Sequence, residues 1–91
     1  MTMILATLDT GEALTELRYQ QERLEACCTK ALAPGQPVEL KLTSAAEGEL
    51  RIQAKSLGSK RRDEHHYCVT LKPINLSRQA RSTLLRMLAG G

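Results

Sequence analysis

The side chains in this sequence that could ligate a metal or act as a nucleophile are Cys27, Cys28, Cys68, His65 and His66. Structural zinc sites take four ligands, in pairs a few residues apart within a loop or turn. Cys27 and Cys28 are adjacent, so on the helix expected there they diverge by about 100°, and on a strand His66 and Cys68 supply only two ligands on one face. No metal site is expected. Cys68 beside His66 meets half of the requirement for thiol catalysis, but no third group orients the imidazole. No phosphate-cradling glycine loop or paired-carboxylate pattern occurs, and a chain of 91 residues has little wall for a substrate pocket. The reading is non-enzymatic, without a cofactor. An odd cysteine count also argues against a disulfide framework, which points to a reducing compartment.

The remaining chemistry is cationic. Lys60-Arg61-Arg62 offers two guanidiniums whose forked donors suit a phosphate, although Asp63 and Glu64 follow directly. Arg61 and Arg62 are therefore the candidate ligand-binding residues. Arg78, Arg81 and Arg86, with Lys60, form a second basic set that could meet a nucleic-acid backbone. Residues 1–40 carry net −3 and residues 41–91 net +6, so the two halves can attract each other within or between chains. Aromatics make up only 2% of the chain, with no Trp or Phe, so stacking platforms for single strands are lacking.

The elements that must position these residues are read from periodicity. Asp9 and Glu12 have capping-box spacing, and Leu14, Leu17, Leu24, Cys28 and Ala31 recur at three- and four-residue steps, which predicts a helical arm over 9–33 ended by Pro34-Gly35. Leu14, Leu17, Leu24 and Cys28 would be its contact stripe, against the protein's own sheet or another chain. Met3–Leu8 is a short apolar segment with strand as one option. From Val38 the period becomes two: Val38, Leu40, Leu42, then Leu50, Ile52, Ala54, joined by a hairpin turn over 44–48, then Tyr67, Val69, Leu71 after a charged loop over 58–64. Leu76-Ser77 opens a terminal amphipathic helix with Ala80, Leu84, Leu85 and Leu88 on its apolar face, stopped by Gly90-Gly91. The expected fold is α+β in a single small domain over 1–91: long N-terminal helix, three antiparallel strands, C-terminal helix. A thin core, open sheet edges and a heptad-compatible helix predict a dimer or higher oligomer. No apolar run approaches the ~20 residues of a membrane span, and no basic-led signal peptide opens the chain, so a cytoplasmic protein is expected.

The stretches PGQPVELKL (34–42), ELRIQAKSL (49–57), HYCVTLKPI (66–74) and NLSRQARSTLLRML (75–88) together resemble the second half of a PilZ domain, the bacterial cyclic di-GMP receptor module. In that family a Pro-Gly-Gln-like turn opens a strand, two strands follow around a charged loop, and an arginine-rich helix closes the domain. The resemblance, over residues 36–91, implies a partial barrel and a regulatory role in motility, pilus or secretion systems. The family's ligand motifs, an RxxxR segment and a D/N-x-S-x-x-G turn, have no counterpart in 1–33. Asn75-Leu76-Ser77-Arg78-Gln79-Ala80 fits a loosened form of the second but stands where a helix cap belongs. The implied role is that of a degenerate adaptor acting by protein contact, with a small nucleic-acid-binding regulator as the alternative. Tight cyclic di-GMP binding is not expected. Two exposed guanidiniums gain about 0.2–1 kcal/mol each, whereas micromolar affinity needs about 8 kcal/mol.

Overall fold

The computed structural model describes residues 4–45 and 47–89; Met3 and Gly90-Gly91 lie outside them. Six strands and one helix follow in order: β1 Ile4–Leu8, β2 Ala13–Gln20, β3 Arg23–Cys28, β4 Pro37–Ser44, β5 Gly48–Arg61, β6 Tyr67–Pro73 and α1 Arg78–Ala89. The strands close into an antiparallel barrel in the order β1-β2-β3-β6-β5-β4, with β4 returning to β1.

The α+β expectation is overturned at the front of the chain. Residues 9–33 form no helical arm; β2 and β3 are a hairpin, and three strands from the same chain complete the barrel that the later three begin. The misleading helical period has a physical source. A β-bulge falls between Thr15 and Arg18, and Glu16 takes a φ of 53° there. One extra residue shifts the inward face, so Leu14 and Leu17 point the same way three positions apart, as they would on a helix. The Gln21-Glu22 turn continues the disguise. Both residues have positive φ, 53° and 62°, the conformation of a type I′ hairpin turn that Asn-Gly usually signals. At Asp9–Glu12 the backbone closes the β1–β2 hairpin instead of capping a helix: Leu8 N–H donates to Glu12 O at 2.9 Å and Gly11 N–H to Leu8 O at 2.8 Å.

The later strands follow their two-residue period. In β4, Val38, Leu40, Leu42 and Ser44 are buried while Pro37, Glu39, Lys41 and Thr43 alternate with them on the outer face. β5 is longer than its pattern predicts, because Gly58–Arg61 belong to the strand and the charged loop shrinks to 62–66. Its first half pairs with β4 and its second with β6, and a bulge at Leu57 lets it bend around the barrel corner. Gly58, at φ 125°, supplies a conformation that L side chains rarely adopt. The buried Ser56 hydroxyl accepts from Gly58 N–H at 3.1 Å, which satisfies a donor freed by the bulge.

Leu24, Leu40, Leu42, Ile52, Val69 and Leu71 fill the interior, all 2% exposed or less. Both mouths are closed. At one, the β3–β4 connection lays Leu32 over the opening, and Ser59 holds it: its hydroxyl accepts from Leu32 N–H and donates to Leu32 O, both at 3.1 Å. At the other, α1 inserts Leu84 and Met87, with Leu88 partly buried against the same core. Ser77 caps this helix, its Oγ accepting from Ala80 N–H at 3.1 Å. Asn75, at φ 55°, makes the turn before it. Arg81 reaches Glu22 in the β2–β3 turn at 3.3 Å and Arg86 reaches Glu47 in the β4–β5 turn at 2.6 Å, so two hairpin tips tether the helix.

Candidate functional site

Closing the barrel places the outer faces of β2, β3 and β6 beside the β5–β6 loop. There Arg62, the last cation of the basic run, turns back over the sheet and pairs with Glu16. Its Nη1 also donates to Cys27 Sγ at 2.8 Å, and the Cys27 thiol donates to Glu16 Oε2 at 3.0 Å. The three groups thus close a triangle across elements 46 and 35 residues apart in sequence. Arg18, Glu25 and Cys68 complete the rim of a hollow of about 220 Å³.

The electrostatics are mutual. The Cys27 thiol and the Arg62 guanidinium hold Glu16 below the ordinary glutamate range. Glu16, and then burial, push Cys27 up, with Arg62 opposing. Arg62 is driven further toward its charged form by Glu16. The triangle is a neutral thiol beside a compensated ion pair. It can donate, accept and exchange a proton, but its positive charge is already spent locally.

Arg61 and Arg62 therefore do not converge as a clamp. Arg61 donates from Nε to the Asp63 carbonyl at 3.2 Å, while Arg62 points away to Glu16. Asp63 organises the loop: its Oδ1 accepts from His65 N–H at 2.9 Å and lies 2.9 Å from His66 Nδ1. The His65 backbone and the His66 ring hold Asp63 below its ordinary value. Lys60 sits across from Cys68 on a cleft of about 740 Å³ that also includes Arg23, Leu32, Pro34 and Leu57. Arg81 and Arg86 are committed to the helix tethers, and Arg78 makes no ion pair among the described residues.

The interaction stripe does not form. Leu14, Leu24 and Cys28 are buried in the barrel and Leu17 packs partly against the same core, because they occupy inward positions of β2 and β3. His66, Cys68 and Cys27 do not gather as ligands, and among the described residues no three His, Cys, Asp or Glu side chains are grouped to hold a metal. Glu16 escaped the sequence reading, and Cys27 entered it only as a weak ligand. Their pairing with Arg62 depends on strand adjacency, which no local spacing encodes. No known family model, curated protein or solved structure matches this chain.

Proposed function

We propose that the protein is a non-enzymatic regulatory module of the PilZ-like type, acting by contact with a protein partner in the cytoplasm and without tight cyclic di-GMP binding. The carrying observation is the fate of its arginines: Arg62, Arg81 and Arg86 each pair with a glutamate from another element. A phosphate ligand would have to displace those carboxylates or compete beside them, which weakens both the cyclic dinucleotide and the nucleic-acid reading. The order of strands from Pro37, the barrel they join and the capped closing helix support the family resemblance.

Protein contact has a surface available. Leu57, pushed out by its bulge and 42% exposed, stands at the 740 Å³ cleft beside Pro34 and Lys60. With every strand of the described barrel paired on both sides, self-association would use such side chains and not strand addition. A photo-crosslinking residue at position 57 in the native cell is expected to capture a discrete protein partner, while one at the still more exposed Leu5 does not. Calorimetry at physiological salt is expected to show no micromolar isotherm with cyclic di-GMP. Such an isotherm lost in Arg61→Ala/Arg62→Ala, or salt-sensitive retention on duplex DNA lost in the Arg78/Arg81/Arg86 triple alanine, would overturn this reading.

A further inference from the structure

The antiparallel register of β3 and β6 sets Cys27 directly opposite Cys68. Residues so related have Cα atoms about 4.5 or 5.5 Å apart and share one face of the sheet, with Cβ atoms about 4.5–5.5 Å apart. A disulfide spans Cα separations of about 4.4–6.8 Å and Cβ separations of about 3.5–4.5 Å. The backbone meets the first condition, and a small closing movement meets the second. Both thiols are free, and both line the same hollow of about 220 Å³. Cys28, although adjacent to Cys27, points into the barrel and is 1% exposed, so it is excluded from the pair.

We propose that Cys27 and Cys68 form a redox-active dithiol that a hydroperoxide converts into a cross-strand disulfide. The two thiols differ in access, which assigns their roles. Cys68 is exposed and meets the oxidant first; Cys27 is buried beneath Arg62 and acts second. In the first step the Cys68 sulfur attacks the distal oxygen of the peroxide and the O–O bond breaks. Cys68 becomes a sulfenic acid, and its thiol proton leaves with the other oxygen as water or alcohol. In the second step Cys27 Sγ attacks the Cys68 sulfur, forming S–S and breaking S–O. Glu16, already accepting from the Cys27 thiol, takes that proton and returns it to the departing hydroxide, which leaves as water. Overall two thiols are oxidised to one disulfide and the peroxide is reduced.

Arg62 and Glu16 flank the resolving sulfur, Arg62 favouring its thiolate and Glu16 serving as proton acceptor. The disulfide has no S–H to donate, so oxidation removes the thiol's hydrogen bond to Glu16 and leaves that carboxylate to Arg62. The site can therefore report oxidant chemistry to the β5–β6 loop, which begins at Arg62.

The test treats the full chain with a small excess of hydrogen peroxide at neutral pH, alkylates remaining thiols in denaturant and maps non-reduced tryptic peptides. Fragment sequencing separates Cys27 from Cys28, which share the peptide Leu24–Lys30. The expected result is a linked peptide pair joining Cys27 to Cys68 within one chain, with Cys28 alkylated. In Cys27→Ser, dimedone is expected to trap Cys68 as its sulfenic acid; in Cys68→Ser, Cys27 stays fully alkylatable. The proposal fails if wild-type Cys27 is recovered alkylated while Cys68 has advanced to sulfinic acid or joined a second chain. Should either serine variant not fold, the wild-type map still decides, since it reads the linkage directly.

Discussion

At the scale of single residues, backbone conformation and paired charge explain more than side-chain type. Glu16, Gln21 and Glu22 all occupy the left-handed region, where an L-residue costs roughly 1–2 kcal/mol. The pairing of β2 with β3, and of this hairpin with β1 and β6, holds them there. Replacing Gln21-Glu22 by Asn-Gly is therefore expected to raise stability by about 1 kcal/mol, read from urea unfolding, despite loss of the exposed Arg81 tether. The Glu16–Arg62–Cys27 triangle predicts a pH dependence of definite sign. Glu16's folded pKa is lowered, so its contribution is complete above the unfolded glutamate value of about 4.3 and is lost as pH falls through the lower folded value. The melting-temperature difference between wild type and Glu16→Gln should be present at pH 7 and shrink below pH ~4. A difference that persisted to pH 2 would show that the pair is not its cause.

At the scale of elements, the helix and its mouth of the barrel form a unit that can be loosened in graded steps. Ser77→Ala removes the cap to Ala80 N–H and is expected to cost about 1 kcal/mol. Leu84→Ala empties a fully buried position and should cost about 2–5 kcal/mol. Both are measurable as shifts in denaturant midpoint at unchanged slope. The weakest seam lies elsewhere. Among the described residues β1 meets β2 through two register pairs, Ala6↔Leu14 and Thr7↔Ala13, against eight between β4 and β5. Hydrogen exchange should therefore find β1 and the start of β2 opening before β4 and β5.

For the whole molecule, closure changes what the front half contributes. Leu17 and Leu24 were candidates for a seam between chains, yet they serve the interior of one. Leu24→Glu buries an unpaired carboxylate at a position with no solvent access, and should unfold the chain or cost several kcal/mol. Light scattering is expected to show no conversion from oligomer to folded monomer on that substitution. Such a conversion would restore the seam. The charge asymmetry between halves finds its outlet within the chain, through Arg62–Glu16 and Arg81–Glu22.

Residue order alone was enough to place β4, the first half of β5, β6 and the capped helix, because each carries its own period: alternation for a strand with one wet face, three- and four-step recurrence after Ser77 for the helix. Local order also indicated a charged loop over 58–64, of which Gly58–Arg61 belong to β5 and only the part from Arg62 is loop. It could not reveal β2 and β3. There a bulge at Glu16 and a turn without Asn or Gly imitated helical spacing, and only pairing across the barrel decides which period is real. The candidate site was hidden for the same reason. Arg62 was visible as a cation, but its carboxylate and thiol partners, like the opposition of Cys27 to Cys68, arise from strands that become neighbours only when the sheet closes. Local propensity acts over a few residues; adjacency in a closed barrel is a property of the whole chain.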